Sequence, residues 1–159
     1  MLKDMIITPS LDPDTYGLAD LADWSGWIPF LEGTTQAPRH PGVYLIRFSG
    51  TIRYVGMARE RSGKGIWGRL SKYRSGKAAT SGFGEHAMDL ALADTEWLMD
   101  RIEHLAASGP ERTTEWAKLA IDRLNPELSW AVASSGQAAK LLEQQTIARL
   151  RPDGLLLNR

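Results

Sequence analysis

The chain has 159 residues, of which 43% are hydrophobic and 24% are charged, a composition typical of one domain large enough to bury its own core. Basic and acidic residues balance at nineteen each, which excludes a uniformly polycationic protein, and the lack of cysteine excludes disulfides and thiolate metal sites. No apolar run approaches the roughly 20 residues of a membrane span, and no signal-peptide pattern opens the sequence, so we expect a cytoplasmic protein without a membrane partner.

Residues 1–40 contain scattered Pro and Gly, which predict an irregular arm with one short helical turn over residues 18–24. The arm carries Trp24, Trp27 and Phe30. These rings can stack on nucleic-acid bases, but aromatic side chains in such a segment more often hold it against the domain. We therefore expect them to pin the arm.

Two runs rich in β-branched and aromatic residues follow, at residues 42–48 and 51–57, with Ser49 and Gly50 between them. This pattern predicts a β-hairpin. Gly50 permits a turn of either two or three residues, because glycine adopts the left-handed conformation freely.

The length of the turn decides whether Tyr44 and Tyr54 share a face of the hairpin. A two-residue turn pairs Phe48 with Thr51, and strict alternation then sends the two tyrosines to opposite faces. A three-residue turn pairs Phe48 with Ile52 and brings both tyrosines to one face. We favour the three-residue turn, since Phe48 against Ile52 is the better cross-strand pair.

Positive charge is concentrated in residues 47–77, where nine basic residues accompany Glu60 alone. This segment has a net charge of +8, which leaves −8 in the rest of the chain. Such asymmetry predicts a surface that binds a polyanion, although a solvated face without a partner is the simpler alternative. The candidates for contact with nucleic acid are Arg59, Arg61, Lys64, Lys72, Tyr73 and Arg74.

A helix is predicted over residues 65–73, after the basic loop at residues 58–64. Ile66 and Leu70 form an apolar stripe on it, and Arg69 flanks this stripe. An arginine in that position can simply pack its stem and expose its head to water.

An acidic helical block precedes the third predicted strand, residues 128–134. Its helices are predicted over residues 85–93, 95–107 and 111–124, and Asn125-Pro126 ends it. Glu85, His86 and Asp89 suggest a metal site at first sight. We do not adopt it, because no further ligand has evident spacing and a histidine beside a glycine loop is more often a packing or capping residue.

The last predicted helix, residues 137–150, has Glu143 in the middle of its apolar face, with Ala139, Thr146, Ile147 and Leu150 around it. A buried carboxylate is costly unless it is paired or binds a metal. Glu143 therefore needs a partner. The sequence leaves two possible partners for Glu143, an ion pair with Arg69 and a bound metal cation.

These elements together resemble the GIY-YIG nuclease domain. Gly42-Val43-Tyr44 and Tyr54-Val55-Gly56 match its two triplets, with Val in place of Ile in both. The matches continue with Arg69 in the next helix, Glu143 in the last helix, and Pro152, Leu157 and Asn158 beyond it. The resemblance covers about residues 40–76 and 128–159.

The resemblance implies an α+β fold with a small three-stranded antiparallel sheet flanked by helices, here with a helical insertion before the third strand. The single domain then divides into an N-terminal arm (1–40), the hairpin and first helix (41–76), the insertion (77–127), and the third strand with the helix that bears the glutamate (128–159).

The resemblance also implies an endonuclease that hydrolyses phosphodiester bonds with one Mg²⁺ or Mn²⁺ ion, acting on DNA rather than RNA as a first expectation. In this scheme Glu143 holds the metal and Arg69 stabilises charge on the phosphate. Tyr44 is the general base and Tyr54 orients water or substrate, although a phenol with a pKa near 10 needs help to act as a base at neutral pH. Gly42, Gly56 and Asn158 have supporting roles.

Two other functions are compatible with the sequence. A nucleic-acid-binding module without catalysis would retain the basic surface but would not need Glu143 and Arg69 in one pocket. A partner-binding protein would instead use the acidic helical block, residues 85–124, as its interface.

Overall fold

Residues 16–159 are described by a computed structural model, in which they form four β-strands and six α-helices. The strands are β1 (Ile28–Pro29), β2 (Gly42–Phe48), β3 (Thr51–Ala58) and β4 (Glu127–Val132). The helices are α1 (Phe30–Gln36), α2 (Gly65–Arg74), α3 (Gly82–Leu92), α4 (Thr95–Ser108), α5 (Thr113–Asp122) and α6 (Gly136–Leu150). No helix in this part of the chain is long and apolar enough to cross a membrane.

The strands form one antiparallel sheet in the order β1-β4-β2-β3, so the prediction of a three-stranded sheet is wrong. The additional strand lies in the N-terminal arm, where Ile28 pairs with Leu128 and Pro29 with Glu127. A two-residue strand has no alternating pattern that a sequence could reveal. Its proline is tolerated because β1 lies at the edge of the sheet, where one side of the backbone needs no ladder hydrogen bonds.

The turn between β2 and β3 has two residues, so the prediction of a three-residue turn is also wrong. Ser49 and Gly50 have φ angles of 53° and 75°, and Phe48 pairs with Thr51. Two consecutive positive φ values are typical of the type I′ turn, whose twist matches that of the flanking strands. This match outweighs the better side-chain pairing that Ile52 would have given to Phe48.

A β-bulge then corrects the register. Arg47 pairs with Ile52, but the next residue of β2, Ile46, pairs with Tyr54, so Arg53 is an extra residue in β3. The insertion of one residue reverses the alternation beyond it. Tyr54 therefore packs in the same cluster as Tyr44, which is the predicted arrangement reached by a different route.

The sheet separates two hydrophobic clusters. The larger one, which we call the tyrosine face, contains Tyr44, Tyr54 and Leu128 from the sheet and is covered by α1, α2, α3 and α5. The other contains Val43 and Val55 and is covered by α6 and by aromatic residues of the arm. Phe30 is buried in the first cluster, and Trp24 and Trp27 pack against the second, so the prediction that these rings pin the arm is confirmed.

The predicted helices after the hairpin all occur, with ends within a few residues of the expected positions. Helix α1 was not predicted, because Gly33 and two threonines give its short sequence little helical preference. Packing accounts for it. A Cβ atom at Gly33 would lie 2.9 Å from Cδ1 and 3.2 Å from Cβ of Leu128, so glycine lets α1 approach β4 without displacing this side chain.

Candidate active site

Tyr73 is the centre of a buried hydrogen-bond network on the tyrosine face. Its hydroxyl oxygen accepts from Arg69 Nη2 at 3.2 Å and from the backbone N–H of Phe83 at 3.1 Å, and it lies 2.9 Å from the hydroxyl oxygen of Tyr44. Because two N–H groups already donate to the Tyr73 hydroxyl oxygen, its own proton is available for donation, and the hydroxyl oxygen of Tyr44 lies at hydrogen-bond distance. Helix α2, strand β2 and the start of α3 therefore meet at one oxygen atom.

Arg69 lies among three tyrosine hydroxyls. Burial by itself lowers the pKa of the guanidinium, but the interactions with Tyr44, Tyr73 and Tyr54 outweigh this effect, and the pKa of Arg69 is raised. Arg69 is only half-buried, so its head is not sealed from solvent. The result is a fixed, permanently charged cation with one side held by the tyrosines.

The tyrosines differ in their access to solvent. The side chain of Tyr44 is 1% exposed and that of Tyr54 is 9% exposed. Burial is the main cause that raises the pKa of each above its ordinary value, and the nearby Tyr73 adds to it in both cases. Neither phenol is ionised at neutral pH. Tyr73, which the sequence suggested as a contact for nucleic acid, is 1% exposed and has no surface to offer a ligand.

Two glycines of β2 and β3 occupy positions with no space for a side chain. Gly56 lies directly opposite Tyr44 in the hairpin, and a Cβ atom there would be 2.1 Å from Cζ of Tyr44. Gly42, at the start of β2, is equally confined, since a Cβ atom would be 2.2 Å from the carbonyl oxygen of Ala131. The two predicted supporting glycines thus occupy positions where any side chain would collide with the sheet or with the Tyr44 ring.

Glu143 lies on α6, which packs on the opposite face of the sheet from the tyrosines. The side chain is half-buried, and its charge contributes to raising the pKa of Tyr54. Glu143 is thus close enough to Tyr54 to act on it electrostatically, although α6 and the tyrosine face lie on opposite sides of the sheet. Burial raises the pKa of Glu143, while Lys140 acts in the opposite direction.

The carboxylate of Glu143 has no hydrogen bond or ion pair within residues 16–159, so the possible pair with Arg69 is not formed. The same residues contain no group of three or more His, Cys, Asp or Glu side chains suited to a metal. A single free carboxylate still fits Mg²⁺, because this ion keeps several of its waters and often takes only one or two protein oxygens together with substrate phosphate.

Asn158 joins the C-terminal segment to β3. Its side-chain amide accepts from the N–H of Val55 at 3.0 Å and donates to the carbonyl of the same residue at 2.8 Å. The amide thus pairs with the free edge of β3 as a neighbouring strand would. Leu157 continues this pairing by donating to the carbonyl of Arg53 at 2.7 Å. Because Val55 follows Tyr54 directly, Asn158 fixes the backbone at the site.

The insertion contributes to the site, which the sequence did not suggest. A Cβ atom at Gly82, the first residue of α3, would lie 2.4 Å from Arg69 Nη2, 2.5 Å from the Tyr73 hydroxyl and 3.1 Å from the Tyr54 hydroxyl. Four residues later the ring of His86 lies 5.8 Å from the ring of Tyr54. The Gly82-Phe83-Gly84 sequence was the available signal, since glycines at a helix start indicate close approach of the backbone to another group.

A basic groove runs along α2, the helix that carries Arg69. It has a volume of about 700 Å³ and is lined by Arg61, Ser62, Lys64, Trp67, Gly68, Ser71, Lys72, Arg74, Ser75 and Lys77. Arg61, Lys64 and Lys72 are exposed, as is Arg59 nearby, whereas Arg74 is half-buried and donates to the carbonyl of Thr34 at 2.9 Å. The exposed cations are therefore free to bind a ligand.

Comparison of the chain with protein-family models, with curated proteins and with solved structures found no match. What the site can do therefore follows from its own chemistry. It offers a fixed guanidinium, neutral phenol hydroxyls, one unpaired carboxylate and a neighbouring groove of exposed cations. This set suits a phosphate diester, whose reaction needs charge stabilisation and positioning more than a covalent nucleophile.

Proposed function

We propose that this protein is a divalent-metal-dependent endonuclease of the GIY-YIG type that hydrolyses phosphodiester bonds, with DNA as the expected substrate. The observation that carries the proposal is the position of Arg69, held among the hydroxyls of Tyr44, Tyr54 and Tyr73 on the same helix as the basic groove. Arg69 has no ion pair within residues 16–159.

Arg69 is the group best suited to stabilise the reacting phosphate. Negative charge grows on the phosphate oxygens as water attacks, and a guanidinium that is already fixed stabilises this charge without having to reorganise. Its contact with Tyr73 leaves other N–H groups for the phosphate. The hydrogen bond between Tyr73 and Tyr44 holds this arrangement in place.

Glu143 is the residue that would hold the metal. When bound, Mg²⁺ or Mn²⁺ supplies additional stabilisation of charge on the phosphate and on the leaving oxygen. The carboxylate has no competing cationic partner among the described residues, which supports this assignment. Its half-buried position leaves one side of the carboxylate open to water and phosphate.

The two tyrosines have different roles in this proposal. Tyr44 is too buried to contact a water molecule, and its raised pKa opposes a role as general base, so it acts as a positioning residue for Tyr73 and Arg69. Tyr54 is less buried, its hydroxyl lies near Gly82 and its ring contacts that of His86, so we assign its hydroxyl the role of orienting the attacking water.

A cleavage assay with divalent metal tests the proposal. Purified protein is incubated with supercoiled plasmid, with single-stranded DNA and with RNA, each in Mg²⁺, in Mn²⁺ and in excess EDTA. We expect nicking or cutting of DNA that EDTA abolishes. Absence of cleavage on every substrate, together with retained DNA binding, would favour a binding module, which the exposed cations of the groove also support.

A further inference from the structure

The proposed reaction needs a group that accepts a proton from the attacking water. Tyr44 and Tyr54 are neutral phenols in this site, and burial makes them poorer bases than a free tyrosine. Arg69 is permanently charged and cannot accept a proton. Glu143 would be occupied by the metal. None of these four residues is therefore an effective base for the attacking water.

His86 is the imidazole on the tyrosine face. It comes from α3, and its ring centroid lies 5.8 Å from that of Tyr54 at an angle of 52°. The side chain is half-buried, so water can reach it, and no hydrogen bond within residues 16–159 engages its ring nitrogens. An imidazole that is open to water, has no hydrogen-bond partner in this part of the chain and contacts the ring of Tyr54 is suited to accept a proton from water bound near Tyr54.

Resting on the endonuclease function proposed above, we infer that His86 is the general base of the reaction. The imidazole nitrogen accepts a proton from water as the water oxygen forms a bond to phosphorus. The bond between phosphorus and the leaving oxygen then breaks, and the leaving oxygen takes a proton from bulk water. The imidazolium returns its proton to bulk water, so atoms and charge balance over one turnover.

The charges around His86 favour the neutral, basic form. Burial is the largest cause that lowers the pKa of His86, and Arg159 from the C-terminal segment lowers it further. Glu85 and Asp89 on the same helix act in the opposite direction, but Asp89 is paired with Arg159 at 3.2 Å. Tyr54 is the neighbour from β3 and is uncharged. The imidazole is therefore neutral at neutral pH, and the rate should rise with pH through its pKa and stay constant above it.

The test compares His86→Gln with His104→Gln, a control on α4, where His104 pairs with Glu111 at 3.0 Å away from the site. For His86→Gln we expect a loss in kcat of about 100-fold or more, the usual contribution of a general base, with DNA affinity unchanged. The rise of kcat/KM with pH should disappear in this variant, and imidazole in the buffer should restore part of the activity of His86→Ala. The control should behave as wild type.

The outcomes separate the two proposals. Full activity and an unchanged pH profile in a folded His86→Gln protein would overturn the role of His86 while leaving the nuclease intact. Wild type that cleaves no substrate would overturn both. If the variants do not fold, the pKa of His86 from an NMR titration of wild type is compared with the pH profile of kcat/KM: agreement supports the inference, and a difference of more than about one unit overturns it.

Discussion

Tyr44 and Gly56 are cross-strand partners in the hairpin, and the Tyr44 ring fills the space that a side chain at position 56 would need. The ring of Tyr44, in the first triplet, thus explains why the second triplet ends in a glycine, Gly56. This relationship connects the two halves of the motif physically, because the ring that occupies the space beside residue 56 is the one whose hydroxyl bonds to Tyr73.

Gly56→Ala should therefore destabilise the protein. A Cβ atom would be 2.1 Å from Cζ of Tyr44, and relieving such a collision in a packed interior costs about 1–3 kcal/mol. Gly26→Ala is the matched control, because a Cβ atom there meets nothing within 4 Å. Urea denaturation of both variants checks the prediction. Equal stability of the two would show that the ring moves aside without cost.

Removal of the Tyr73 hydroxyl should be more damaging than removal of the Tyr44 hydroxyl. Tyr73→Phe leaves the buried N–H of Phe83 without an acceptor, which costs about 1–3 kcal/mol, and it also removes an acceptor from the half-buried Arg69. Tyr44→Phe removes the partner of the Tyr73 hydroxyl and one contact of the half-buried Arg69, but it leaves no buried backbone N–H unpaired. Tyr16→Phe, which removes an exposed hydroxyl bonded to Asp153, is the control. A lower melting temperature for Tyr44→Phe than for Tyr73→Phe would contradict the central place of the Tyr73 hydroxyl in this network.

Glu143 should make folding stability depend on pH in an unusual direction. Burial raises the pKa of Glu143 above its ordinary value of 4.5, so the charged carboxylate disfavours the folded state. The protonated carboxyl group stabilises the folded state fully at pH values below the ordinary pKa of glutamate. This contribution is lost as the pH rises through the raised pKa of Glu143 in the folded protein. Glu143→Gln should thus have a higher melting temperature than wild type at pH 7 and the same melting temperature in acid. A lower melting temperature at pH 7 would indicate an ion pair that the structure lacks.

Metal binding without nucleic acid should be weak. Glu143 is one carboxylate, and no cluster of three or more candidate ligands accompanies it in residues 16–159. Mg²⁺ in such a site relies on phosphate oxygens for further ligands. Calorimetry of the free protein should detect only weak Mg²⁺ binding, and tight binding would contradict a site with one carboxylate.

The exposed cations of the groove should bind nucleic acid independently of its sequence. Arg61→Gln, Lys64→Gln and Lys72→Gln should each weaken binding on all sequences and reduce the slope of log K against log salt by about one unit, since each contact releases counterions. Lys118→Gln, an exposed lysine that pairs with Glu115 in the acidic block, is the control. A loss restricted to one sequence would indicate base readout instead.

Sequence patterns predicted the helices after the hairpin well because apolar residues repeat there at helical spacing over about ten residues or more, whereas the seven-residue α1 escaped them. The same patterns could not reveal β1, which has two residues, or the bulge at Arg53, which depends on pairing across the hairpin. The contact of the insertion with the site also lay beyond them. Gly82 and His86 reach Tyr54 only through the packing of α3 on the tyrosine face.

The most direct test of the central claim measures cleavage, DNA affinity and melting temperature on the same samples of wild type and Glu143→Gln. The endonuclease proposal predicts Mg²⁺-dependent cleavage by wild type. For the variant it predicts a loss of cleavage by orders of magnitude, with affinity and folding retained, because the substitution removes the metal ligand and leaves the groove untouched. Undiminished cleavage by Glu143→Gln would remove Glu143 from the site, and no cleavage by folded, DNA-binding wild type would contradict the proposed activity itself.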